Sequence, residues 1–160
     1  MKRVTTLFLK IAVILMGISV IAIYIFLVPD IADYAAELYP DIASMKILVL
    51  IHMYVSAIPF YCALYQAFKL LSYIDKKQAF SDLSVKALKT IKNCAIAISV
   101  LYIAGLPLFY LVGDKDDAPG IIVIGLVIVF ASMVIAFFTA VLQMLLKEAI
   151  DIKSDNDLTI

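Results

Sequence analysis

The chain has little charge and little of the chemistry that histidine and cysteine bring. Of its 160 residues only 16% are Asp, Glu, Lys or Arg, while 65% are hydrophobic. A soluble domain of this length would expose too much apolar surface to stay dispersed. One histidine and two cysteines, set without ligand spacing, make a poor metal site. Five glycines are scattered, so no phosphate-cradling loop is formed. The acids keep to loops and tails, which leaves no acid–base pair, nucleophile or metal cluster within reach of a substrate. These absences argue against an enzyme and against a bound cofactor.

What fills the chain instead is apolar sequence. Four charge-free runs cover residues 11–29, 47–68, 93–113 and 120–146. Each reaches the roughly 18–20 residues that a helix needs to cross a hydrocarbon core of about 30 Å. Backbone in lipid must satisfy its own hydrogen bonds, and none of the runs alternates as a barrel strand would. The expectation is an all-α polytopic membrane protein, a four-helix bundle in one domain over residues 1–160, with spans at about 11–28, 47–68, 94–112 and 120–146. The opening Met1-Lys2-Arg3 also suits a signal peptide. The apolar run behind it exceeds a signal's usual 7–15 residues or so, and no clean cleavage site follows Val28, so it is kept as a span.

Basic residues set the orientation. Lys2, Arg3 and Lys10 flank the first span, and Lys69, Lys76, Lys77, Lys86, Lys89 and Lys92 lie between the second and third. The two opposite loops hold Lys46 and Lys115 against seven acids. By the positive-inside rule both termini and the lysine-rich loop face the cytoplasm. Cys62 and Cys94 then sit away from the oxidising side, and no structural disulfide is expected.

Between the first two spans, "DIADYAAELYPDI" places Ile31, Tyr34, Ala35, Leu38 and Ile42 at helical spacing. Asp30, Asp33, Glu37 and Asp41 form a neighbouring stripe. This predicts a short amphipathic helix on the outer surface, with Asp30 able to cap its first turn and Pro40 ending it. The acidic stripe is read first as a solvated face and second as a site for cations or an external partner. The second span is the most polar: His52, Ser56, Pro59, Ala63 and Gln66 share one side. An ionisable residue in a span points to function by default. Near the outer interface, however, His52 is favoured as a neutral hydrogen-bonding group to a neighbouring helix over a proton sensor. Gly105 and Pro107 suggest a bend in the third span. In the fourth, Gly125, Ser132, Ala136, Thr139 and Gln143 form a small-and-polar stripe, the expected packing seam.

The stretch "KKQAFSDLSVKALKTIK", residues 76–92, is lysine-studded yet helical in pattern. Ser81 suits an N-cap and Asp82 the first turn. Val85, Leu88, Ile91 and Ala95 share one face, with Lys86, Lys89 and Lys92 on the other. Two arrangements fit: a long helix whose first turns stand out of the membrane, or turns lying flat with lysines on anionic lipid. Lys76, Lys77, Phe80, Ser81, Lys86, Lys89 and Lys92 are the candidate surface for lipid or a partner.

Here a resemblance enters. "AFSDLSVKALKTIK" and the acidic ending at residues 155–160, set among four spans, resemble the YoaS-like family of small bacterial membrane proteins. The resemblance implies a bacterial cytoplasmic membrane location and offers no catalytic motif. It also implies a regulatory pairing with a soluble helix-turn-helix DNA-binding protein, since many members are encoded beside one. Phe80, Ser81, Leu88 and Lys89 match only as a signature.

Two readings of function remain. In the first, a membrane regulator or anchor uses its cytoplasmic lysine loop and tail to hold a soluble partner, with no direct contact to nucleic acid. In the second, several copies form a small transporter or channel along the polar face of the second span. The first is preferred, because the spans hold no buried carboxylate of the kind transport sites show.

Overall fold

The computed structural model describes residues 2–158, so Thr159 and Ile160 of the tail lie outside the described residues. Five helices follow in order: α1 (Lys2–Phe26), α2 (Val28–Leu38), α3 (Met45–Asp75), α4 (Asp82–Lys115) and α5 (Gly120–Leu158). No strand occurs among the described residues. Four helical stretches, the first joining α1 to α2, are long and apolar enough to cross a membrane.

The joints follow local chemistry. Pro29 sits in the first turn of α2, where its missing N–H breaks no helical bond. Leu27, rather than Asp30, occupies the N-cap, and no side chain caps this helix. Proximity to α1 explains the difference: Leu27 N–H bonds the Ile23 carbonyl and Ile31 N–H the Leu27 carbonyl, so the chain turns without a gap to fill. Before Pro40 the helix ends, with Tyr39 as C-cap.

Ser81 does cap α4, in extended backbone, accepting from Ser84 N–H at 3.5 Å. The turns after α3 and α4 share one design. Gln78 N–H reaches the Tyr73 carbonyl at 2.7 Å, and Ala118 N–H reaches the Gly113 carbonyl at 2.9 Å. Lys77 and Asp117 take the left-handed backbone this closure needs, at φ 59° and 52°.

Packing is in a row. α3 touches α1 and α4, whereas α5 packs on α4 alone; α2 lies across α1 and α3 and reaches α4. The bundle is therefore open, with one face of α5 and one of α1 uncovered by protein. Small residues make the closest seam. Ala87, Ala95 and Ser99 of α4 are buried, as are Gly125, Ser132, Ala136 and Thr139 of α5. A Cβ on Gly125 would meet the side chains of Leu106 at 3.1 Å and Phe109 at 3.4 Å, so α4 side chains fill the space that a larger residue would need. Large side chains such as Phe130, Phe137 and Phe138 point outward, 70%, 74% and 68% exposed. Outward aromatic and aliphatic bulk with a small-residue interior is the pattern of helices solvated by lipid.

Candidate functional site

Two regions gather the chemistry, one at each end of the bundle. At the end that carries α2, a cavity of about 480 Å³ opens between the helices. Four helices contribute, together with the joint before α2: Leu27 links α1 to α2, Asp30, Ile31 and Tyr34 come from α2, and His52 and Met53 from α3. Tyr102 and Phe109 come from α4, Ile121 and Ile124 from α5. The cavity exists because α5 touches only α4, leaving its first turns apart from α2 and α3. On α2 the buried face is Val28, Ala32 and Ala35, and the two alanines pack with Met45 and Val49 of α3. Ile31 and Tyr34, predicted to share the apolar face, are instead turned toward the opening.

His52 is fixed in this wall. Its Nε2 lies 3.0 Å from the Leu101 carbonyl of α4, an oxygen that only accepts, so Nε2 carries the hydrogen. Gly105 makes room: a Cβ there would fall 2.2 Å from Nε2. Tyr102 and Phe109 meet the imidazole edge-on, with ring centroids at 5.0 and 5.9 Å. No described residue bonds Nδ1, and the atom is not sealed in protein.

Around the mouth, Tyr34 donates to Asp116, and this bond pushes the phenol above its ordinary range. Lys46 pairs with Asp33 at 2.6 Å, and the Lys115 ammonium stands over the Tyr39 ring at 4.3 Å. Asp30 lines the cavity without a partner among the described residues.

The other polar groups of α3 do not join this site. Ser56 is buried but turns its hydroxyl back to the His52 carbonyl at 2.7 Å. Gln66 is half-buried, without a hydrogen bond to a described residue. The cavity takes in His52 and neither Ser56 nor Gln66. Gln143, at the far end of the α5 stripe, is half-buried.

At the opposite end, α4 and α5 run on past the apolar spans. Residues 82–92 add about 16 Å before the third charge-free run, and residues 147–158 about 18 Å after the fourth. Ser84, Ala87 and Leu88 are buried along this extension, and Lys86 and Lys89 are exposed. Lys76 is the C-cap of α3, Lys77 the left-handed residue after it, and Phe80 is 56% exposed. Lys92 is half-buried at one end of a smaller apolar groove along the α4–α5 seam. None of these five ammonium groups forms an ion pair with a described residue.

One clamp at this end went unread in the sequence. Lys10 of α1 bonds Asp75 of α3 at 2.6 Å, and the Thr6 hydroxyl also donates to that carboxylate. The Lys10 bond, then that of Thr6, holds the Asp75 carboxyl below its usual range. The available signal was positional, two opposite charges at the same-side ends of adjacent spans.

Comparison with known proteins places the chain. The family described as Protein of unknown function (DUF2975) matches residues 30–160. This chain belongs to that family. It is also 69% identical, over 160 residues and the full length of both chains, to the uncharacterized membrane protein YoaS of Bacillus subtilis (strain 168). No solved structure matches. The resemblance carried by residues 79–92 is thus a relationship of the whole chain, and the protein is a membrane protein of a family whose function its name leaves open.

Proposed function

We propose that this protein is a non-enzymatic membrane regulator or anchor that holds a soluble partner on the lysine-bearing hairpin of α4 and α5. The observation that carries this reading is the hairpin itself. Both helices continue beyond their apolar spans, and on α4 Lys86 and Lys89 stand exposed without an ion pair to a described residue. A lone topological signal would need only lysines in a short loop. A helical extension of α4 with Ser84, Ala87 and Leu88 buried adds a regular spacing of lysines, which suits recognition of an acidic protein surface. On this reading the end faces the cytoplasm together with both termini, as the positive-inside rule expects, and the family resemblance implies the inner membrane of a bacterium. Anionic lipid is the competing occupant of the lysines nearest the membrane.

The partner implied by the family resemblance is a helix-turn-helix DNA-binding protein, contacted protein to protein. The test is co-purification from native membranes in mild detergent, with mass spectrometry of what elutes. Recovery of a stoichiometric soluble protein from wild type, lost when Lys86, Lys89 and Lys92 are together changed to Gln while insertion persists, is the expected result. Recovery unaffected by the triple change removes this surface from the account.

A further inference from the structure

We propose that the cavity at the acidic end binds an amphipathic organic ammonium ion, with the cationic nitrogen held by Asp30 and the Nδ1 of His52. This goes beyond the regulator reading and does not depend on it. The walls are aliphatic apart from His52, Tyr34, Tyr102 and Phe109, and Asp30 is the one formal charge among the lining residues. Asp30 is exposed at the rim, and an unpaired carboxylate beside an apolar cavity attracts a cation and repels an anion. The nearby lysines are already engaged: Lys46 with Asp33, and Lys115 over Tyr39.

The remaining features fit the same ligand class. With Nε2–H committed to Leu101, Nδ1 presents a lone pair, which an ammonium N–H satisfies and an anion does not. The aromatic rings of Tyr102 and Phe109 add apolar surface for the body of such a ligand, and ring faces attract cations where edges do not. Residues near the mouth reinforce the sign. The two loops at this end hold seven acids, Asp30, Asp33, Glu37, Asp41, Asp114, Asp116 and Asp117, against Lys46 and Lys115, so the local field gathers cations. A volume of about 480 Å³ lies in the range of small-molecule pockets, roughly 300–1,000 Å³. Because the walls come from α5 on one side and α2 and α3 on the other, an occupant would bridge helices that otherwise do not touch.

The test uses the full chain in phosphatidylcholine nanodiscs, titrated with 4-phenylbutylammonium by isothermal calorimetry against empty nanodiscs. The neutral analogue 4-phenylbutanol serves as competitor. One saturable site is expected, weakened about tenfold or more by Asp30→Asn, the scale of one charge-assisted hydrogen bond. Ile124→Trp, which fills the cavity from α5, should abolish it. Both positions are exposed, so neither change threatens folding. Binding no greater than to empty nanodiscs, equal competition by the alcohol, or indifference to both substitutions would each overturn the proposal.

Discussion

Gly105 has no side chain, and His52 occupies the space one would take. The imidazole thereby reaches the Leu101 carbonyl across the α3–α4 contact, where an interhelical hydrogen bond is worth about 0.6–2 kcal/mol. Gly105→Ala should force the ring out and destabilise the protein by about 1–3 kcal/mol, read as a lower Tm in detergent. Combining it with His52→Ala should cancel most of the steric part; an additive double variant would show that the two do not meet. From the sequence, His52 was assigned a hydrogen bond to a neighbouring helix and Gly105 only a bend, because a glycine's neighbour on another helix leaves no local pattern. Asp75 gives a second residue-scale test. Its carboxyl is held below the ordinary value of 3.8 by Lys10 and Thr6. The stabilisation from this clamp is therefore complete above that value and is lost as pH falls through the lower folded one. Wild type should lose Tm on acidification below about pH 4 more steeply than Asp75→Asn, and parallel curves would remove Asp75 as a contributor.

At the scale of elements, the spans were legible because lipid excludes charge, and each charge-free run lies within the helical segments found. The Ser81 cap was legible for a similar reason: a hydroxyl before an acid and an apolar period is a local signal. The turn before it was not. Residues 76–81 contain no glycine, so nothing marked Lys77 as the residue that adopts φ 59° to close α3. An L-residue pays for that backbone, and glycine does not. Lys77→Gly should raise stability by about 0.5–1 kcal/mol, measured as a higher Tm. A fall would mean that the Lys77 side chain or unfolded-chain entropy outweighs the strain. The amphipathic helix α2 shows the opposite limit. Its existence followed from spacing, but the alanines face α3 and the larger Ile31 and Tyr34 line the cavity. Close approach beside Met45 favours small side chains over hydrophobic ones.

For the whole molecule, the order of contacts matters more than the number of spans. α1 and α2 are tied to α3, α5 is tied only to α4, and α3 with α4 joins the two groups. The stripe on α5 showed which side of it was close-packed, but no periodicity says which helix it meets. Across the junction the named hydrogen bonds are few: His52 to the Leu101 carbonyl, the Tyr39 hydroxyl to the Leu111 carbonyl at 2.6 Å, and the Tyr34 hydroxyl to Asp116 at the rim. Each group is a set of apolar helices that lipid stabilises individually before they associate. The chain cut between Lys77 and Gln78 should therefore reassemble when residues 1–77 and 78–160 are co-expressed, and the fragments should co-purify in mild detergent. Gly105→Leu, which fills the space of the imidazole on the α4 side, should abolish that recovery while leaving each fragment in the membrane. Association that survives Gly105→Leu would place the attachment elsewhere, first on the rest of the α3–α4 contact and then on the slighter one of α2 with α4.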